Sequence, residues 1–244
     1  MKAISAAAVL FCVCVASLPA LAKTKIAKVN FTFADHQRVM YLIVPERAEP
    51  MPVIVALHGS GRNGEIIAQP WKDLATREGI IIAAPDAFDP QSWGSVMDPP
   101  EFFRAVVEEV KKVHAIDDTR IYLFGHSAGA AYALFLAVMD SDLFASAAVH
   151  AGALQANPEG LFAQAERKMP IAIWVGDRDL NFPVETVEAT RRLYAENGYQ
   201  IKLTVIPNHD HNYYVISDEV NRKVWDFLKG TRMPAASDQT AQPN

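Results

Sequence analysis

The sequence is most informative in what it lacks. It contains two cysteines, Cys12 and Cys14. Both fall inside an N-terminal stretch that reads as an export signal, with Lys2 as the positive start, Ala6 to Ser17 as the apolar stretch and Ala20-Leu21-Ala22 as a small-x-small cleavage site. Once residues 1–22 are removed, no disulfide, thiolate nucleophile or cysteine metal site remains, so any nucleophile must be a hydroxyl or a carboxylate. The apolar stretch is too short for a comfortable membrane span. The expectation is a periplasmic or secreted protein with no stable membrane anchor after cleavage. Basic clusters are also missing, and the net charge of -5 gives a nucleic-acid partner no electrostatic support. There is no internal repeat and no Pro/Gly/Ser-rich linker, which favours one domain over 23–230 followed by a disordered tail, 231–244, in "GTRMPAASDQTAQPN".

What is present reads as alternating strands and helices. Val29–Phe33 and Arg38–Val44 pattern as short strands around a turn at 34–37. Val53–Leu57 and Ile80–Ala84 are apolar throughout, as strands covered on both faces should be. Pro99–His114 reads as a helix with Phe102, Phe103, Val106, Val107, Val110 and Val113 on one face. Ile121–Phe124 is the next strand and Ala128–Met139 an apolar helix. Strands at Ala145–His150, Ile171–Val175 and Ile201–Ile206 follow, with helices at Val184–Asn197 and Val215–Leu228. Such alternation implies right-handed βαβ units and a mainly parallel sheet with helices on both faces.

In that class, functional residues gather beyond the carboxyl ends of the strands. Gly125-His126-Ser127-Ala128-Gly129 stands where a strand becomes a helix. The pattern G-x-S-x-G alone is weak, since roughly one random chain in ten of this length contains it. The strand before it and the helix after it give it weight. A serine on that sharp turn is held in a strained backbone, so its neighbours must be small. The helix N-terminus supplies an amide for an oxyanion.

A nucleophilic Ser127 needs an acid and then a histidine, each after a later strand. Asp179 follows Ile171–Val175, with Asp177 as the alternative, and the plainer reading is that both only cap the following helix. "IPNHDHNYYVI" supplies His209 and His211 after the last strand, and either could be the base. His58-Gly59-Ser60-Gly61 follows the third strand, where a second oxyanion amide belongs, which makes the Ser60 and Ala128 N–H groups the expected pair. Trp93 is a candidate wall of the substrate pocket. His126 is a second one, packing beside the site, and His36, His114 and His150 read as structural.

With those residues in place, the chain resembles the α/β-hydrolases from about Val29 to Lys229, in "VIVALHGSGRN", "LATREGIIIAAPDA", "IDDTRIYLFGHSAGA" and "LFASAAVHAGAL". It is most similar to the small secreted esterases grouped with polyhydroxybutyrate depolymerases and feruloyl esterases. "DHNYYVI" also resembles the histidine segment of S-formylglutathione hydrolases, which implies that His211 is the base. The resemblance implies a Ser127–His211–Asp179 serine esterase acting on a small or oligomeric ester, with neither cofactor nor metal. A prolyl-oligopeptidase-like peptidase and a non-catalytic binding protein on the same fold are the rival readings.

Overall fold

The computed structural model describes residues 24–154 and 160–234; the expected signal segment lies outside them. Eight strands form one sheet in the order β1-β2-β4-β3-β5-β6-β7-β8. They are β1 Ile26–Phe33, β2 His36–Ile43, β3 Met51–Leu57, β4 Ile81–Pro85, β5 Ile116–His126, β6 Ser146–His150, β7 Ile171–Gly176 and β8 Ile201–Ile206. The β1–β2 and β2–β4 pairs are antiparallel, and every pair from β4 onward to β8 is parallel. This is the α/β-hydrolase architecture.

The apolar strands are apolar because both faces are covered. In β3, Val53, Val55 and Leu57 join the core on one face, and Ile54 and Ala56 the core on the other. Helices α1 Gly64–Ala68, α2 Lys72–Glu78 and α6 Ser217–Leu228 cover the second face, through Ile67, Leu74, Val224 and Trp225. Helices α3 Pro100–Lys111, α4 Ala128–Met139 and α5 Val184–Glu196 cover the first, through Phe103, Leu134 and Val187. No helix among the described residues is long and apolar enough to cross a membrane.

Three expectations need correction. Helix α3 stops at Lys111, so Val113 leaves the apolar face and is 58% exposed. Strand β5 begins five residues before Ile121, because Ile116 pairs beside Met51 ahead of a register shift. The polar composition after Lys229 does not release the chain at residue 231. Thr231 accepts a hydrogen bond at its carbonyl from Tyr122 Oη (2.8 Å) and pairs its hydroxyl with Ser146 (2.6 Å), and the Met233 N–H donates to the Thr119 carbonyl.

The parallel strands all end on one edge, and there the connections carry Ser60, Ser127, Asp179 and His211. Strand β3 sits between β4 and β5, where the chain's winding reverses. That reversal opens the crevice above the strand ends.

Candidate active site

Ser127 occupies the turn between β5 and α4 with φ 58° and ψ -122°. A non-glycine residue there costs on the order of 1–3 kcal/mol. The flanking glycines allow it sterically. A Cβ on Gly125 would stand 2.3 Å from the Gly129 carbonyl oxygen, and one on Gly129 would stand 2.3 Å from that of Leu57. The Ser127 N–H donates to the His150 carbonyl (3.1 Å), which ties the turn to the end of β6.

From β8, the loop after Ile206 brings His211 Nε2 to 2.9 Å from Ser127 Oγ. Its Nδ1 lies 2.8 Å from Asp179 Oδ2. The carboxylate donates nothing, so Nδ1 carries the proton and Nε2 is left to accept from the serine hydroxyl. Asp179 Oδ1 accepts the Asn181 and Phe182 N–H groups, both at 2.9 Å, so the buried carboxylate is fully engaged. The Phe182 ring stacks on His211 at 5.8 Å. Asp177 is exposed and does not reach the imidazole. His209 is buried and turned away, with Nε2 3.2 Å from His150 Nε2.

Ser60 and Ala128 border the serine from the other side. Among the described residues neither N–H has an acceptor within the protein. The loop carrying Ser60 is held by His58, whose Nε2 accepts the Ala87 N–H (3.0 Å) while Nδ1 donates to the Gly59 carbonyl (2.9 Å). Burial pushes the His58 pKa down, in keeping with a neutral ring.

Two cavities meet at this point. One, of about 700 Å³, contains Ser127 and His211 and is walled by Arg62, His126, Arg178, Asn181 and Tyr214. The other, of about 400 Å³, runs past Ser60 and Ala128 to Trp93, Tyr132, Phe135 and Leu154. Polar side chains make up most of the first lining, whereas the second sets the rings of Trp93, Tyr132 and Phe135 beside the polar Gln91, Ser92 and Ser95. Trp93 thus lines the second cavity, while its indole N–H is committed to the His58 carbonyl at 2.9 Å.

A family model described as the dienelactone hydrolase family matches residues 96–227. The chain belongs to the dienelactone hydrolase family. It is a carboxylic ester hydrolase. A search of curated proteins found no match. Among solved structures, the chain is similar to the fluorophosphonate-binding serine hydrolase F of Staphylococcus aureus, with 13% identity and a TM-score of 0.71 over 85% of this chain and 99% of that one. It is also similar to a ferulic acid esterase from Anaeromyces mucronatus solved with ferulic acid, with 18% identity and a TM-score of 0.69 over 88% and 93%. A thermostable esterase has 21% identity and a TM-score of 0.66 over 85% and 63%. At these identities the likeness is one of fold.

This dienelactone hydrolase family member surrounds its site with histidines that stay neutral. His126 is pushed down to about 3, chiefly by burial and then by the neighbouring His211. His150 is pushed well below the ordinary histidine value by burial and then by His126, and His209 is lowered by burial. No group of three or more His, Cys, Asp or Glu side chains among the described residues is arranged to hold a metal.

Sequence patterns did not mark all of the walls. Arg62 stood in "HGSGRN" and Tyr214 in "DHNYY", both inside segments read for other residues. Tyr132 and Phe135 point from α4 toward the second cavity, on a helix so uniformly apolar that no face stood out.

Proposed function

We propose that the chain is an exported serine esterase working through Ser127, His211 and Asp179, with an acyl-enzyme intermediate. The observation that carries this reading is the unbroken chain of contacts from Ser127 Oγ to His211 (2.9 Å) to Asp179 (2.8 Å), on a strained turn beside two N–H groups that have no acceptor among the described residues. His211 Nε2 takes the serine proton as Oγ attacks the ester carbonyl. Asp179 holds the imidazolium that forms. The Ser60 and Ala128 N–H groups face the developing oxyanion. His211 then gives its proton to the departing alcohol oxygen. A water molecule, deprotonated by the same ring, releases the acid and restores Ser127. These residues need no cofactor or metal for this sequence of steps.

Because the departing oxygen receives its proton from His211, the alcohol belongs in the polar cavity on the His211 side. The acyl group then extends past Ala128 into the cavity of Trp93, Tyr132 and Phe135. That wall suits a planar or medium-length apolar acyl chain, in keeping with the fold likeness to an esterase solved with ferulic acid. The composition of residues 1–22 supports export and a periplasmic or secreted location.

A fluorophosphonate probe tests the reading. The folded protein should label, and Ser127→Ala should abolish both labelling and hydrolysis of p-nitrophenyl and hydroxycinnamate esters. Labelling that survives in Ser127→Ala would overturn it. Cleavage of peptides rather than esters in the same panel would favour the peptidase reading.

A further inference from the structure

Three histidines that the proposed mechanism does not use form a buried row beside Ser127. His126 is 5% exposed, His150 0% and His209 6%. His126 Nδ1 lies 3.3 Å from the His150 carbonyl oxygen and 3.2 Å from His150 Nδ1. His150 Nε2 lies 3.2 Å from His209 Nε2.

The carbonyl decides the order of protons along this row. An oxygen can only accept, and the His150 carbonyl accepts from both the Ser127 N–H and the His126 ring. His126 therefore carries its proton on Nδ1. His150 Nδ1, facing the same proton, is an acceptor, so His150 holds its own proton on Nε2 and donates it to His209 Nε2. The opposite order would set an unprotonated Nδ1 against the carbonyl lone pairs.

The consequence falls on His126 Nε2. With Nδ1 protonated and the ring neutral, Nε2 has a lone pair and no hydrogen. Among the described residues it has no partner in the protein, yet it is not among the sealed, unsatisfied atoms. Its ring walls the cavity that holds Ser127 and His211, 5.0 Å from the His211 ring and packed on Tyr213 at 5.3 Å.

We infer that His126 is a specificity-determining residue: the histidine row fixes its tautomer so that Nε2 offers a hydrogen-bond acceptor to the leaving-group cavity, selecting esters whose alcohol bears a further hydroxyl. The inference rests on the proposed placement of the alcohol on the His211 side. An acceptor with no proton of its own gains from a donor. It gains nothing from an ether oxygen of the same reach, and burial keeps the ring from charging over the range in which esters are assayed. Polyol monoesters, with glyceryl and sugar esters among them, are the substrate class.

The test compares three esters of one hydroxycinnamic acid: 2-hydroxyethyl, 2-methoxyethyl and n-propyl. The wild type should prefer the hydroxyethyl ester in kcat/KM by at least about fivefold over each of the others, the scale of one buried hydrogen bond. His126→Phe keeps a flat ring against Tyr213 but removes the lone pair, and the preference should fall to about one whatever the absolute rates. His126→Gln, whose side-chain oxygen reaches a similar position, should restore part of it. A purely structural role would lower all three esters together and leave the ratios unchanged, which would overturn the inference. So would a wild type that treats the three alike, or one that accepts the methoxyethyl ester equally well. Ser127→Ala is run beside them. Residual hydrolysis there sinks the serine reading itself, whereas flat ratios in a Ser127-dependent enzyme sink only the selection by His126.

Discussion

Two buried polar walls, one tied to the loop that carries Trp93 and the other beside Ser127, differ in that the first is held by charge and the second by neutral rings. On the β2 side, Arg38 and Asp98 form an ion pair at 2.5 Å with side chains 3% and 1% exposed. Arg38 also donates to the Met97 and Asp86 carbonyls, and its guanidinium lies 3.7 Å from the centre of the Phe102 ring. Asp98 Oδ1 accepts the Phe88 N–H, and its carbonyl accepts Tyr132 Oη. The segment 88–98, which carries Trp93, is thereby pinned to the sheet. On the β6 side, the ring hydrogen bonds of His126, His150 and His209 among the described residues go only to one another and to a carbonyl. Buried charge is tolerated where every lone pair and proton is met. Among the described residues no carboxylate hydrogen-bonds to the histidine row, though Asp210, Asp179 and Asp177 lie near enough to His209 to favour a proton there; at His126 an added proton would repel the imidazolium that the proposed mechanism forms on His211. The charged wall can therefore fix a loop, whereas the neutral wall can border His211, the proposed base, without opposing it.

The sharpest way to break this contrast sets the proposed base against a walled-in histidine two residues away. His211→Ala should lower kcat by about 10⁴-fold or more. His209→Ala should leave kcat within about tenfold, since its ring hydrogen-bonds to His150 and to neither Ser127 nor Asp179. A reversed pattern in steady-state kinetics would exchange their roles. Next in size is the charged wall. Asp98→Ala leaves Arg38 buried without its partner and should cost about 3–5 kcal/mol in urea unfolding. His150→Gln, which removes hydrogen bonds but strands no charge, should cost about 1–2 kcal/mol. Equal losses would show that the two walls are held by similar forces.

Much of this was legible in the chain because it depends on local pattern. Strands covered on both faces are written as unbroken apolar runs, as in Val53–Leu57, and the strained Ser127 turn requires Gly125, where a Cβ would strike the Gly129 carbonyl four residues on. The order of Ser127, Asp179 and His211 follows from which strands end at the crevice. What could not be read depends on pairing across distance. Asp98 finds Arg38 sixty positions away, and nothing near either residue announces the partner. His150 ends an ordinary buried strand, and its meeting with His126 is set by the β5–β6 register, in which those two residues stand opposite one another. The choice between Asp177 and Asp179 turns on the loop, where Asp179 folds back to cap Asn181 and Phe182.

Acid should separate the walls in a last, smaller way. The folded pKa values of His126, His150 and His209 lie below the ordinary value near 6.5. Their contribution is fully present above that value, because the unfolded chain binds protons there no better than the folded one. As pH falls below 6.5 the unfolded rings take up protons that the folded rings refuse, and stability drops by up to about 1.4 kcal/mol per pH unit for each ring. Asp140 opposes this. Burial, only partly offset by Arg104, pushes its carboxyl up to about 7, so the folded state gains stability as pH falls from 7 toward the unfolded value near 4. The total slope thus mixes two signs, and the informative quantity is the difference between wild type and His150→Gln. The variant should be the less stable protein at pH 7.5 by urea unfolding, with the gap narrowing as pH is lowered to 5. A gap that stays constant would mean that His150 takes up its proton in the folded protein as readily as in the unfolded chain, and the neutral wall would lose its defining property.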